Sequence, residues 1–424
     1  MSSTADARAG RAAFTHPGFV LFQIARFLIV AAVEMQAVAV GWQVYEITKR
    51  PLDLGYVGLA QFLPAILLFP ISGHASDRFE RRHVLSACYG GYAVCFALLL
   101  VLSRRAPSIE LIYIVLVLIG IVRSFNSTAS RAILPQLVPT EHFPNAVAWN
   151  ASIFQAATIL GPSFGGIVYA AFRGPEAVYA IAMVTAVGAT ISSFRIRPEV
   201  KPRPREPMSL KTAFAGLHYI WNKKLILGAI SLDLFAVLLG GAVALLPVYA
   251  REILHTGPWG LGLLRTAPGV GAAVMAVALA HWPLRGRSGP TLLWAVAGFG
   301  IFTIIFGLSH SLTLSLIALF LLGASDMISV IIRATLTQLA TPDEMRGRVT
   351  AVDMIFIGTS NEFGQFESGV TAQWFGTVPA VVLGGVGTLV VIALWAWWFP
   401  ELRNAGELHA ITAGAESTTT ADPA

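Results

Sequence analysis

The chain has 424 residues, of which 55% are hydrophobic and only 12% charged. A soluble domain carries about 25% charged residues, so this composition excludes an ordinary cytosolic protein and points to a chain that crosses a membrane many times. The formal charge of +6 would suit a nucleic-acid partner, but the places where the charges fall assign them to membrane topology instead.

Residues 1–17 form a polar tail with Arg8 and Arg11, and no cleaved leader is expected, because the first apolar run is too long for one. Twelve spans follow at about 19–46, 54–73, 83–103, 110–135, 143–172, 177–194, 224–250, 259–282, 290–309, 312–338, 349–373 and 378–399. They group as a six-helix half over 18–194, a polar linker over 195–223, a second six-helix half over 224–400 and a small polar tail over 401–424, expected to be disordered. With the N-terminus inside, eighteen Lys and Arg fall on the cytoplasmic side, six on the other and five within spans. Both termini are therefore expected in the cytoplasm. Trp395, Trp397 and Trp398 at the end of the last span fit an interfacial aromatic belt. Cys88 and Cys95, seven apart in one apolar run, read as small core residues.

Between spans two and three lies Gly73-His-Ala-Ser-Asp77-Arg78-Phe-Glu-Arg81-Arg82. So many charges cannot sit in hydrocarbon, so the stretch is a turn at a membrane face. Gly73 and Asp77, four apart, share one helix face, where the glycine would let another helix approach and the carboxylate would meet a helix terminus or an arginine. The stretch resembles the loop signature between helices two and three of the major facilitator superfamily of secondary transporters. The resemblance implies twelve helices in two pseudo-symmetric bundles, alternating access, and a gating role for Gly73, Asp77, Arg78, Arg81 and Arg82.

The two halves repeat at an offset of about 203. Arg131-Ala-Ile-Leu-Pro-Gln136-Leu137 recurs as Arg333-Ala-Thr-Leu-Thr-Gln338-Leu339, and Gly161 and Gly166 recur as Gly364 and Gly369. Parallel six-span repeats are the layout of a facilitator. In the linker, Leu210, Phe214, Leu217, His218 and Trp221 stand at helical spacing beside basic residues, which predicts a helix on the inner membrane surface.

Ionisable side chains inside spans are costly, about 2.5–3.5 kcal/mol each, and mark functional interiors. They are Arg26, Glu34, Arg123, Arg131, Asp233, Arg265, Asp326, Arg333, Asp353, Glu362 and Glu367. The facilitator resemblance implies that spans one, four, seven and ten line a central cavity, which selects Glu34, Arg123, Asp233 and Asp326. Arg123 and Asp326 occupy matching places in the repeat and would pair, either as a couple broken during transport or as a permanent ion pair. Glu34 is the first candidate for a proton-carrying carboxylate, with Asp233 its parallel in the second half; the competing reading is a glutamate satisfied by Gln36, Gln43 or Arg26. Glu362 and Glu367, five apart and about 140° around a helix, face different neighbours. Asp353 is expected in a gate network with Arg346 or Arg348. Arg131, Arg265 and Arg333 complete the intramembrane basic set.

Gly161-Pro162-Ser-Phe-Gly165-Gly166 in span five resembles the Gly-Pro-x-x-Gly-Gly element of the drug:proton antiporter branch, although Ala148 and Ala157 stand where that pattern has further glycines. Physically it is a thin, kinkable stretch, and a packing seam with no directional role is equally open. Trp42-Gln-Val-Tyr-Glu-Ile-Thr, Asn145-Ala-Val-Ala-Trp-Asn, Asp343-Glu-Met-Arg-Gly-Arg-Val and Ser360–Gly369 are similar to the subgroup of enterobactin exporters and macrolide-type efflux proteins. That resemblance implies a monomeric inner-membrane exporter of a siderophore or amphipathic drug, driven by protons, in contact with lipid and without a cofactor. A proton-linked uptake symporter on the same fold is the leading rival. A membrane-embedded enzyme or lipid scramblase is a remoter one, since no phosphate loop, metal cluster or nucleophilic triad is visible.

Overall fold

The computed structural model describes residues 12–105, 108–198, 210–282 and 286–406. Asp77 lies in a helix, but its side chain is outside the described set, as are residues 1–11, 199–209, 283–285 and 407–424.

Ten helices among the described residues are long and apolar enough to cross a membrane. In chain order the main helices are α1 (Pro17–Thr48), α2 (Pro51–Leu67), α3 (Phe69–Arg78), α4 (Arg81–Arg104), α5 (Ile109–Ile133), α6 (Phe143–Phe172) and α7 (Glu176–Phe194). They continue as α8 (Leu210–Asn222), α9 (Lys224–Leu239), α10 (Gly257–His281), α11 (Ser288–Leu308), α12 (Leu312–Leu339), α13 (Asp343–Phe375) and α14 (Thr377–Trp398). Proline opens α1 and α2, where its missing N–H costs nothing, and left-handed Lys49 and Arg173 close α1 and α6. Chain order and repeat spacing give twelve crossings. The two outside the ten are the second, broken between α2 and α3, and α13, which is long but carries Asp353, Glu362 and Glu367.

Span seven is not the single helix expected over 224–250. α9 stops at Gly240, a 3-10 turn covers Ala242–Leu245, and a π turn covers Tyr249–Ile253. A Cβ at Gly241 would run into the Gly364 carbonyl oxygen of α13, so the break sits where another backbone crowds this one.

The helices group into two units. Unit one comprises residues 1–49, 59–208 and 256–266; unit two comprises 50–58, 209–255 and 267–424. Each unit therefore takes the first turns of one helix from the opposite repeat, α2 or α10. In unit one, α1 packs on α6 and α7, and α4 on α5 and α7. Buried hydrogen bonds tie these together: Tyr179 donates to Gln43 Oε1 (2.7 Å), Ser86 and Ser193 share one (2.7 Å), and Ser124 donates to the Ala65 carbonyl (3.0 Å). In unit two, Leu232 and Ala236 of α9, Val296 of α11, Ile332 and Leu336 of α12 and Trp395 of α14 make one core.

Several peripheral expectations change. Trp395 leaves the belt: it is buried and donates from Nε1 to Ser231 Oγ (3.0 Å), while Trp397 and Trp398 stay exposed. Ahead of α1, Ala12–Thr15 form a 3-10 turn, with Ala13 N–H bonded to Asn145 Oδ1 (3.1 Å) and Phe14 edge-on to Trp149. Past α14, a short helix over Pro400–Arg403 buries Leu402. The linker helix α8 exists, but its Ile220 is buried against Ile226, Ile230, Val349 and Val352, so it packs on protein.

Candidate functional site

In unit one the candidate carboxylate is Glu34, in the middle of α1. α6 crosses α1 there because its glycines leave room. A Cβ at Gly161 would lie 2.6 Å from the Glu34 Cβ, and one at Gly165 would lie 2.8 Å from the Met35 Cα. The other face of the same stretch meets the first turns of α10. A Cβ at Gly166 would lie 2.5 Å from the Pro258 carbonyl oxygen, one at Gly262 would lie 2.7 Å from that of Pro162, and Ser163 shares a hydrogen bond with Thr266 (2.7 Å). The Gly161–Gly166 element is thus a two-sided seam between α1 and α10. The charges acting on Glu34 come from those surroundings: Arg265 of α10 and Arg123 of α5. Gln36, two residues on, is fully buried, with neither amide atom hydrogen-bonded.

Unit two contains the repeat's counterparts with different chemistry. Arg333 of α12 is buried, 2.5 Å from Asp233 of α9 and 3.5 Å from Asp353 of α13. The Asp353 Oδ1 facing it is buried and makes no hydrogen bond, so that contact is purely electrostatic. Asp326, two turns before Arg333 on α12, is subject to both Asp233 and Arg333. Asp353 therefore belongs with Arg333, whereas Arg348 donates to Met345 Sδ (3.6 Å). One buried guanidinium thus meets two carboxylates, with a third, Asp326, near enough to feel its charge.

The α2–α13 crossing mirrors the α6–α10 seam. A Cβ at Gly369 would lie 3.2 Å from the Gly55 Cα, one at Gly55 would lie 3.1 Å from the Phe366 Cα, and one at Gly58 would lie 3.4 Å from Glu362 Oε2. Glu362 is buried and accepts from Gln365 Nε2 (3.5 Å); Glu367 accepts from Thr371 Oγ1 (2.6 Å). The two glutamates thus have separate partners, and Glu362 faces span two.

At the charged turn, Arg81 donates to the Ala132 carbonyl at the end of α5 (2.9 Å), where a cation complements the helix terminus. Arg82 and His83 pair with Glu80. At Gly73 a Cβ would meet nothing within 4 Å among the described residues.

A sequence profile described as Major Facilitator Superfamily matches residues 22–364. The chain belongs to the major facilitator superfamily. Among curated relatives, the enterobactin exporter EntS of Citrobacter koseri is 27% identical over 399 residues, covering 92% of this chain and 94% of that protein. EntS of Escherichia coli K12 is 26% identical with the same coverage. Among solved structures, a D-xylose-proton symporter superposes with a TM-score of 0.70 at 13% identity, over 91% of this chain and 98% of that one. A bacterial homologue of the human lysosomal transporter Spinster gives 0.69 at 14% identity, over 92% and 98%. The structural likeness shows the facilitator fold, and the chain is a multi-pass membrane transporter of that superfamily.

Sequence reasoning located the charged span residues and named Gln36 beside Glu34, but it assigned Asp353 to Arg346 or Arg348 instead of Arg333 and passed over Tyr89. Asp353 had one available signal: it lies ten residues into the long α13, beyond reach of a helix-terminal gate. Tyr89 looks like an ordinary span residue until its full burial is known.

Proposed function

We propose that this facilitator is an exporter, moving a small organic molecule of the siderophore or amphipathic-drug kind out of the cytoplasm by alternating access in exchange for protons. Similarity to enterobactin exporters along nearly the whole chain supports the cargo class and direction. The observation that carries the coupling is Glu34, held on α1 under the influence of arginines from two other helices. A carboxylate so placed gains or loses proton affinity whenever one of those arginines moves away. The seam at Gly161, Pro162, Gly165 and Gly166 provides a close-packed joint where α1, α6 and α10 can slide.

In this reading Asp233, Asp326, Glu362 and Glu367 are the second half's exchangeable carboxylates with Arg333 as their cation, and Arg123, Arg131 and Arg265 are the cations of the first half that act with Glu34. The turn carrying Gly73, Asp77, Arg78, Arg81 and Arg82 works as a cytoplasmic gate element, anchored by Arg81 on α5. The protein acts as a monomer in the inner membrane with both termini in the cytoplasm.

Everted membrane vesicles test this directly. An imposed proton gradient should drive accumulation of a siderophore or dye inside them, and Glu34→Gln should abolish it at normal expression. Proton-driven accumulation in right-side-out vesicles instead would support uptake symport. Undiminished efflux by the Glu34→Gln variant would remove Glu34 from the proton path.

A further inference from the structure

Serine and threonine hydroxyls inside helices commonly bond back to the carbonyl four residues earlier. In unit two Thr303, Thr335 and Thr350 do so, donating to Phe299, Ile331 and Arg346 at 2.8 Å each. Ser329, Thr337 and Thr341 differ: all three are buried, and none of their hydroxyls has a hydrogen-bond partner.

These exceptions stand in line. At about 100° per residue, Asp326, Ser329, Arg333 and Thr337 fall within about 80° of one face of α12, and Thr341 follows just past the helix end. Successive groups rise by about 4.5–6 Å, the length of two O–H···O bonds, so one water fits between each and the next. Asp353 Oδ1, 3.5 Å from Arg333, is buried and equally unbonded. The line ends where α8 docks, since Tyr219 donates to the Ala340 carbonyl (3.1 Å). The first half has no such line. In the repeat Pro135 and Pro139 stand where Thr337 and Thr341 stand, and Ser127, the counterpart of Ser329, donates to the Ser124 carbonyl (3.2 Å).

A buried hydroxyl without a partner costs about 1–3 kcal/mol. Three of them in file with carboxylates are satisfied together by bound waters, each with several polar neighbours. Arg333 lies between Ser329 and Thr337, but Asp233 and Asp353 flank it, and their charges offset the barrier that a lone guanidinium would set to a proton. We propose that Ser329, Thr337 and Thr341 hold a file of waters that carries protons between Asp326 and the α8 end of unit two. Each hydroxyl or water takes a proton on one side and releases one on the other. A proton leaving the Asp326 carboxyl therefore emerges as hydronium at the outer end, beside Glu344, Arg346 and Arg348 in the first turns of α13. Use of the file for antiport rests on the export reading; the file itself does not.

The test uses the full chain in proteoliposomes oriented with residues 199–209 open to added protease, which puts the α8 end outside. A pH jump in the outer solution is followed by time-resolved infrared spectroscopy of the protonated-carboxyl band that Asp326→Asn removes. Thr337→Val, nearly isosteric but without the hydroxyl, should slow relaxation of that band at least tenfold, and Thr337→Ser should recover most of the lost rate. Thr341→Val should slow it likewise and serves if Thr337→Val does not fold. A packing role predicts the reverse order, with valine harmless and serine harmful, and that result would overturn the file. Wild-type relaxation in both valine variants, or no band lost in Asp326→Asn, would overturn it too. If the band relaxes as described while everted vesicles pump nothing, the export reading fails and the file stands. If the vesicles pump and both valine variants relax like the wild type, the file fails and the export reading stands.

Discussion

Gly161 and Glu34 meet in the space a side chain would occupy: a Cβ on the glycine would lie 2.6 Å from the Glu34 Cβ and 3.1 Å from the Ala31 carbonyl oxygen. The proposed proton carrier of this transporter is thus positioned by the absence of one methyl group on the neighbouring helix.

Gly161→Ala should therefore act through Glu34. Overpacking of this kind costs about 1–3 kcal/mol, so the melting temperature in detergent should fall and proton-driven efflux should drop although Glu34 is intact. Wild-type melting and efflux would show that α1 and α6 do not press together at this point.

Asp233 and Arg333 should behave as a coupled buried pair. Removing the carboxylate in Asp233→Ala leaves a guanidinium with side-chain exposure of only 5% facing Asp353 at a longer distance. Breaking such a pair costs about 3–5 kcal/mol, and the double replacement Asp233→Leu with Arg333→Met should recover part of it. Thermal melting of Asp233→Leu, Arg333→Met and the double variant measures the coupling; strict additivity would contradict it.

Two glycines make opposite predictions. Gly323→Ala would drive a Cβ into the Pro268 carbonyl oxygen of α10, so the variant should express poorly or melt early. Gly73→Ala meets open space inside α3 and should be neutral or stabilise by up to about 1 kcal/mol. If Gly73→Ala melts normally yet pumps slowly, the loss belongs to motion of the charged turn and not to folding.

The docking of α8 rests on Tyr219, which donates to the Ala340 carbonyl (3.1 Å), and on Ile220 in the cluster with Val349 and Val352. Burial pushes the Tyr219 phenol upward, so the donor is intact at neutral pH, and its contribution fades only as alkaline pH passes that raised value. Tyr219→Phe should cost about 0.5–1.5 kcal/mol, and Ile220→Asp considerably more. Limited proteolysis within 199–209 should accelerate in that order.

Hydropathy, charge placement and the repeat were enough to predict the helical class and the twofold pattern, and to list the charges that fall inside spans. In a bilayer the backbone must bond within its own helix, so every long apolar run declares a crossing. Glycine spacing likewise announced close approach in span five. The partners had to come from tertiary structure. Span seven reads as continuous in hydropathy but breaks at Gly240–Gly241 under the crowding of α13. Asp353 found Arg333 on another helix instead of the arginines near it in sequence. The first turns of α2 and α10 joined the opposite unit. Which charge meets which depends on helix rotation and interhelical distance, and an apolar pattern, nearly uniform around a lipid-embedded helix, carries little information about either.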